Sequence, residues 1–222
     1  PLAYGRAAVA TVAGALGYVV GRYNRFHADL AGTFEAYLDK FSGKTRSTLR
    51  RKVKKFLEGG GETGMRVYRD PDEMAQFQRI ATGVSDLTYQ QRLFDAGLPR
   101  DDAFLAYLVD LAGRDAVRAY LLTLRGKPVA YLCCPASGDV LLYSYLGYDP
   151  AVAELSPGTV LQYLAFESLF AEQRFRFFDF TEGESEHKRF FGTHNTRCAD
   201  ICYFPRRSSA RLLIEVHRAV DR

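Results

Sequence analysis

One turn of the sequence has the residues of a phosphate-binding helix start. Ser156, Pro157 and Gly158 come directly before an apolar, helix-like run. Serine is a preferred helix cap, and proline fits the first helical turn, where its missing N–H costs nothing. Gly158 removes a side chain from the place where outward-facing amides and the positive end of the helix dipole attract phosphate. The same residues also fit a capped helix that binds no ligand.

Groups that can accept or relay a proton lie on both sides of this turn. A histidine titrates near neutral pH, and a carboxylate at a strand end can serve as a base. Each group also has a purely structural interpretation, as a carboxylate held by backbone amides at a loop corner or as a solvated loop charge. The candidates are Tyr143, Tyr145, Asp179, Glu182, Glu184 and His187. Glu186 fits a solvated loop charge, and Lys188 fits a contact to an anionic substrate or cofactor.

Nucleophilic and metal chemistry receive less support from the sequence. No Gly-x-Ser-x-Gly motif occurs, and Ser144 has no histidine partner nearby in the chain. A zinc site would have to combine His187 and His194 with Cys198 and Cys202, whose spacing fits no tight zinc-finger pattern. We therefore predict no metal. All four cysteines lie in apolar, strand-like runs, which predicts buried free thiols in a reducing cytoplasm.

The periodicity of apolar residues predicts an α+β fold, with helices flanking a mixed, mostly antiparallel sheet. Three successive strands separated by turns form an antiparallel meander in the second half of the chain. The predicted strands are Met65–Tyr68, Ala116–Arg125, Val129–Cys134, Val140–Leu146, Arg176–Phe180 and Cys198–Phe204. The predicted helices are Thr33–Phe41, Lys44–Glu58, one starting at Asp70, Leu87–Gly97, Asp101–Ala112, Gly158–Glu172 and Ser208–Val220.

The 222 residues are predicted to form a single domain, 1–222, with residues 1–26 as an N-terminal extension. Within it, the apolar stretch Ala7–Val20 fits either a strand or a short helix. It is shorter than the ~20 residues of a membrane span, and it has neither a basic leader nor a clear cleavage site. We expect no membrane span and a cytoplasmic protein. The chain starts at Pro1 without Met, as a trimmed chain or a piece of a longer protein would.

The positive charge is concentrated in one segment, 40–55, which has eight Lys and Arg and no acidic residue, whereas the whole chain has a net charge of +4. Three interpretations fit this segment: a solvated helix face, a contact to the phosphates of coenzyme A or an acyl carrier, or an RNA-binding surface. Aromatic residues do not alternate with the basic ones, so base stacking receives no support.

The order of these pieces resembles the GNAT acyltransferase superfamily, and most closely its Fem-like, cellulose-biosynthesis-type acetyltransferase branch. The matching pieces are Ser42–Lys52, Gly147-Tyr148-Asp149-Pro150, Leu155-Ser156-Pro157-Gly158, and Phe178-Asp179-Phe180 with Gly183 and Lys188. Two features depart from that pattern: His187 stands where an aromatic residue commonly precedes the lysine, and the loop around Gly183 is more acidic. Both departures concern the acceptor substrate.

The resemblance implies an N-acyltransferase that uses acetyl-CoA or another acyl-CoA and transfers its acyl group to a small-molecule, peptide or sugar amine. The implied cofactor-binding residues are Gly158, Thr159 and Val160, whose amides would hold the pyrophosphate, together with Pro157 before them and Leu146 on the neighbouring strand. The implied fold has a splayed strand pair, here Val140–Leu146 and Arg176–Phe180. The catalytic candidates are Tyr145, Asp179, Glu182 and His187, and the substrate-binding candidates are Tyr143 and Lys188. Two alternatives stay open: transfer from aminoacyl-tRNA, and a catalytically silent domain that binds an anionic polymer. Oligomeric state is left open as well.

Overall fold

The computed structural model describes residues 9–12, 14–88 and 97–220. These residues fall into two compact units. The central unit is His27–Thr181. The terminal unit consists of the described residues of Pro1–Phe26 and Glu182–Arg222. The prediction of one domain over 1–222 stays a prediction.

The described part of the central unit combines a sheet with five helices. Its strands are the end of β2 (Ala15–Asp29), β3 (Gly64–Tyr68), β4 (Val117–Leu124), β5 (Lys127–Ser137), β6 (Val140–Leu142), β7 (Tyr145–Tyr148) and β8 (Phe177–Asp179). Its described helices are α1 (Phe34–Leu38), α2 (Gly43–Leu57), α3 (Met74–Ser85), α4 (Asp102–Gly113) and α5 (Pro157–Glu172), with short 3-10 helices at Pro71–Glu73 and Pro150–Leu155. Most of the predicted helix Leu87–Gly97 lies outside the described residues.

The sheet of the central unit is mixed and mostly antiparallel, as predicted. Its strand order is β2, β8, β6, β5, β4, β3, and β7 also pairs with β5. The β6–β8 pair is parallel, whereas β2–β8, β3–β4, β4–β5, β5–β6 and β5–β7 are antiparallel. One face packs on α3 and α4 through buried residues such as Phe77, Leu108 and Tyr131. The other face carries α5.

Helix α5 is apolar on nearly all sides because it is enclosed. It contacts β4, β5 and β7 on one side and α1 and α2 on the other. Phe166 is fully buried and packs edge-on against Phe178 of β8 and Tyr37 of α1, with ring centroids 4.9 and 5.3 Å apart. A helix enclosed in this way is a rigid support for whatever its first turn binds.

The predicted strand Val140–Leu146 is wrong as one continuous strand. It is divided into β6 and β7, because the pairing with β5 changes register between Cys133↔Tyr145 and Ala136↔Leu141. Three residues, 142–144, stand opposite two residues of β5, 134–135, which makes a β-bulge. Pro135 lies at this point and has no N–H to donate to a continuous ladder.

The terminal unit contains a hairpin of β1 (Val9–Val12) and β2, so the described residues of the apolar stretch Ala7–Val20 favour strands. Residues 7, 8 and 13 of this stretch lie outside the described residues. Strand β9 (His194–Phe204) pairs with β2. Helix α6 (Glu186–Phe191) precedes β9, and α7 (Ser208–Val220) follows it with the predicted bounds. Ile214 of α7 is buried against Leu16 and Tyr18.

The prediction of four buried cysteines holds for two of them. Cys133 and Cys134 are buried in β5, whereas Cys198 is partly exposed and Cys202 is exposed. The second pair lies on β9, whose residues are mostly open to solvent. Burial raises the pKa of the Cys133 thiol to about 12, so this thiol is inert at neutral pH.

Candidate active site

The first turn of α5 begins at Pro157, as predicted, but Ser156 does not cap it. Ser156 has φ 55° and ψ 49°, a left-handed conformation, and its side chain accepts no capping hydrogen bond. Its backbone is fixed instead by the preceding 3-10 helix, since its N–H donates to the Ala153 carbonyl at 2.9 Å. The predicted cap is therefore wrong.

This geometry gives a test on stability. We expect Ser156→Ala to change the free energy of unfolding by less than ~0.5 kcal/mol, where a capping serine would lose ~1 kcal/mol. Ser156→Gly should raise stability, because glycine adopts the left-handed conformation without the cost that other residues bear. Urea unfolding of both variants measures this. A loss near 1 kcal/mol in the alanine variant would restore the capping interpretation.

Two backbone N–H groups in the first turn of α5 lie before the first helical hydrogen bond. The Val160 N–H already donates to the Ser156 carbonyl at 3.0 Å, and Val160 is buried, so its predicted place among the phosphate-binding amides is not supported. Pro157 has no N–H and is buried beneath the turn. The amides of Gly158 and Thr159, both half-buried, precede the first helical hydrogen bond and face outward. The predicted anion site therefore narrows to these two residues.

Strand β7 lies beside this turn. A Cβ placed on Gly158 would be 3.7 Å from Cδ1 of Tyr148, the last residue of β7. Asp149 N donates to Val129 O at 2.8 Å, and the antiparallel alternation makes Tyr131–Gly147 and Cys133–Tyr145 hydrogen-bonded pairs too. The N–H and C=O of Leu146 therefore point away from β5, toward the open side of β7.

The open side exists because two strands diverge. β6 and β8 pair in parallel as far as Leu142↔Asp179. Tyr143 N donates to Asp179 O at 2.9 Å, and Thr181 Oγ1 donates to Tyr143 O at 3.4 Å. Beyond the bulge, β7 pairs with β5 alone. This divergence corresponds to the splayed pair that the sequence resemblance implied.

A small cavity of about 30 Å³ lies between β7 and α5. It brings together Leu146 and Gly158, both predicted to bind cofactor, and Tyr143, predicted to bind substrate. The described residues that line it are apolar, aromatic or amide-bearing: Tyr131, Leu132, Tyr143, Leu146, Gly147, Tyr148, Gly158, Leu161 and Gln162.

The Gly147-Tyr148-Asp149-Pro150 sequence fixes the path from β7 to the helix start. A Cβ on Gly147 would lie 2.6 Å from Cγ2 of Thr88 and 2.7 Å from Cε1 of Tyr131, so only glycine fits without a shift. Asp149 is buried, accepts from Ala151 N at 3.0 Å, and receives the Lys127 ammonium at 2.7 Å. These hydrogen bonds hold the pKa of Asp149 below its usual value. The ionised carboxylate thus anchors the 3-10 helix that leads into Ser156.

The catalytic candidates of the central unit have well-defined packing. Asp179 is half-buried at the end of β8, where Oδ1 accepts from Thr181 N at 2.8 Å, the loop-corner arrangement that the sequence left open. The Tyr145 ring packs on Phe104 of α4, 5.0 Å away, on the sheet face opposite α5. Tyr143 is buried against Phe178 and Phe180, which raises its pKa. The catalytic roles of Asp179 and Tyr145 stay predictions.

The other candidates belong to the terminal unit. Glu182 and Glu186 are exposed, and the Lys188 ammonium donates to the Glu182 carbonyl. Glu184 accepts from Asn24 Nδ2 at 2.8 Å. Burial, followed by the charge of Lys188, lowers the pKa of His187 to about 4, which corrects the expectation that it titrates near neutrality. His187 is therefore uncharged at pH 7. The roles predicted for Glu182, His187 and Lys188 stay predictions.

The basic segment folds as α2, as predicted. Helical spacing predicts one apolar stripe of Leu49, Val53, Phe56 and Leu57. The first three are buried in the structure, whereas Leu57 is 42% exposed. Arg46 forms an ion pair with Asp39 in the turn after α1, and Arg50 forms one with Glu35 on α1. The exposed basic side chains of α2 are Lys44, Arg50, Arg51, Lys52, Lys54 and Lys55.

Sequence reasoning missed two residues of the central unit. Arg118 is 1% exposed on β4 and binds Glu172 at the end of α5, through two contacts of 3.0 Å from Nε. Gln162 is 2% exposed on α5 and lines the cavity. A single polar residue within an apolar helical run is the signal that could have drawn attention to Gln162.

Comparison with protein families decides the assignment. The sequence profile of the family described as the acetyltransferase (GNAT) domain matches residues 43–189. The chain belongs to this family. The match includes β6, β7, α5 and β8, the elements that form the cleft. It confirms the predicted GNAT superfamily and α+β fold, and acyl transfer is the general activity class of such a domain.

Solved structures share the fold of this GNAT domain. FemX superposes with a TM-score of 0.55 at 13% identity, covering 90% of this chain and 68% of that one. L-PGS from Bacillus licheniformis superposes with a TM-score of 0.59 at 19% identity, covering 94% and 68%. These likenesses concern the fold alone, and the Fem-like, cellulose-biosynthesis-type branch stays a prediction. No curated protein matches the chain.

Two further observations concern the described part of the chain. Its helices are all too short or too polar to cross a lipid bilayer. It also contains no group of three or more His, Cys, Asp or Glu side chains arranged to hold a metal ion.

Proposed function

We propose that this GNAT domain is an N-acyltransferase that takes acetyl from acetyl-CoA and transfers it to an amine by direct attack in a ternary complex. One observation carries the proposal. The outward amides of Gly158 and Thr159 and the open-edge amide of Leu146 lie on the two walls of one cleft. Such a cleft offers an anion site at one end and a carbonyl-binding donor beside it.

Each wall has a separate task. The Gly158 and Thr159 amides would bind the pyrophosphate, where the helix dipole adds attraction. Acetyl-CoA supplies the acyl group in thioester form. The Leu146 N–H would donate to a carbonyl oxygen and stabilise the negative charge that develops there during attack. The aromatic and aliphatic lining would keep water from the reacting atoms.

The acceptor amine must lose a proton before or during attack. We retain Asp179, Glu182, His187 and Tyr145 as candidates for this step, and Tyr143 and Lys188 for acceptor binding. Among these, His187 is uncharged at neutral pH, but burial and the charge of Lys188 lower its pKa to about 4 and make it a weak base. We propose a small-molecule, peptide or sugar amine as acceptor, and a cytoplasmic reaction, in line with the free cysteines.

The exposed basic side chains of α2 favour a second candidate, transfer from aminoacyl-tRNA. Helix α2 contacts both α5 and the 3-10 helix Pro150–Leu155, so this basic helix adjoins the elements that form the proposed donor site. A phosphate backbone would suit such a surface. The same charges also suit the phosphates of coenzyme A, which is the simpler interpretation.

Calorimetry separates the two donors. The protein is titrated with acetyl-CoA, coenzyme A, a longer acyl-CoA and tRNA at two salt concentrations. We expect micromolar binding of acetyl-CoA and only weak binding of tRNA. Binding of tRNA alone, weakening steeply with salt, would replace the proposal by the second candidate. Binding of none of them would indicate a catalytically silent domain.

A further inference from the structure

Gln162 is a buried polar side chain whose donor has no partner. The residue is 2% exposed, and its Nε2 makes no hydrogen bond within the part of the chain that the structure describes. A buried amide nitrogen can only donate, and leaving it unsatisfied destabilises the folded protein. Leucine or methionine would suit the surrounding apolar helix better, so the glutamine calls for a reason other than folding.

The place of Gln162 supplies that reason. It lines the cavity between β7 and α5, across from Leu146 and Tyr148. It lies four residues after Gly158, one helical turn or ~6 Å along α5 from the outward amides. A ligand whose phosphates bind those amides and whose chain follows the open side of β7 would pass the mouth of this cavity, which has room for one carbonyl oxygen or one water beside Gln162.

We propose that Gln162 is a cofactor-binding residue whose Nε2 donates a hydrogen bond to a carbonyl oxygen of the acyl-pantetheine chain. This inference rests on the proposed function and adds a side-chain donor to a site otherwise made of backbone amides. The chain of acetyl-CoA has two kinds of carbonyl, the amides of the pantetheine arm and the thioester. Coenzyme A has only the former.

Gln162→Met tests the inference, because methionine keeps the length and volume of the side chain and removes the donor. We expect acetyl-CoA to bind about tenfold more weakly, which corresponds to ~1.4 kcal/mol. An equal loss for coenzyme A would place the bond on a pantetheine amide, and a loss confined to acetyl-CoA would place it on the thioester. The ligand-free variant should also melt at a higher temperature than the wild type, since a buried unsatisfied donor has been removed.

Leu169→Met is the matched control. Leu169 is 1% exposed on the same helix, two turns beyond Gln162, and does not line the cavity. This variant should bind both ligands as the wild type does. If Gln162→Met fails to fold, Gln162→Asn replaces it, since the shorter amide withdraws the donor while keeping the polarity, and the same loss of affinity is expected.

The outcomes separate this inference from the proposal beneath it. Wild-type affinity in the Gln162 variants, in a protein that binds acetyl-CoA, would overturn the inference and leave the proposed function intact. Such a result would mean that water satisfies Nε2, for which the cavity has room. If the wild-type protein binds neither ligand, the proposed function fails and the inference falls with it.

Discussion

Gly158→Glu is expected to reduce acetyl-CoA binding at least ~100-fold, which corresponds to ~2.7 kcal/mol, while the domain stays folded. A glutamate at this position would direct its carboxylate at the place where the Gly158 and Thr159 amides face outward. The pyrophosphate of the cofactor would then meet a like charge at the centre of its binding site. No other single substitution in the cleft should affect binding as strongly.

The variant should fold because the position accepts a side chain. A Cβ on Gly158 would meet only Tyr148 Cδ1, at 3.7 Å, which is an ordinary van der Waals distance. Gly158 also has no left-handed backbone that would require glycine. An acidic residue in the first turn of a helix stabilises it, by ~0.3–1 kcal/mol. A loss of binding would therefore report the site and not the fold.

Gly158→Gln is the matched control, because glutamine has the shape of glutamate without its charge. We expect it to weaken binding by a smaller factor than glutamate does. Calorimetry gives the affinities, and thermal unfolding confirms that each variant is folded. Unchanged affinity in a folded Gly158→Glu protein would remove the central argument for a pyrophosphate at this turn.

Glu172→Gln should have the largest effect on stability, a loss of ~3 kcal/mol in the free energy of unfolding. Arg118 is 1% exposed, and its guanidinium binds Glu172, Asp115 and the Val117 carbonyl. Burial opposes its charge, but the two carboxylates outweigh burial and raise its pKa. Removing the charge of Glu172 leaves a buried cation with only Asp115, whose side chain is 53% exposed, as its counterion.

An exposed pair on the same unit provides the comparison. Arg114 and Asp110 form an i,i+4 ion pair in which the side chains are 62% and 60% exposed. Asp110→Asn should cost no more than ~0.5 kcal/mol, because solvent already screens the pair. Urea denaturation measures both variants. Equal losses in the two would show that burial of Arg118 does not govern the energy of its network.

The Arg118–Glu172 pair also bears on the cleft. It ties β4 to the last residue of α5, while the first turn of the same helix carries the proposed phosphate site. The two ends of α5 are thus fixed by different forces, an ion pair at one end and apolar packing against β7 and the sheet at the other. A helix held at both ends keeps its N-terminal amides in place before any ligand binds.

Residue patterns predict the helices and strands correctly where neighbouring residues decide the structure. The apolar period and the proline at position 157 placed α5, and the amphipathic pattern of 208–220 gave α7 its bounds. The basic and apolar stripes of α2 were predicted except for Leu57. The GNAT resemblance, based on motif order, was confirmed by the family match over residues 43–189.

The remaining features depend on contacts and burial that the pattern of residue types does not give. The break between β6 and β7 depends on how both strands pair with β5 around Pro135. The residue pattern of 140–146 does not predict this break. Serine is a residue type that commonly caps helices, but at Ser156 the preceding 3-10 helix ends in a left-handed backbone conformation. The low pKa of His187 likewise follows mainly from burial. The charged residues around it in the sequence give no indication that its side chain is buried.

By itself, the sequence determined most of the helices and strands, their order, the superfamily and the glycine turn, because each follows from local backbone preference or from motif order along the chain. Only the tertiary structure decided that Leu146 turns its N–H to the open side of β7 and that Gln162 is buried with an unsatisfied donor. The physical reason is that hydrogen-bond direction and desolvation depend on which chain segments meet, and those partners are distant in sequence.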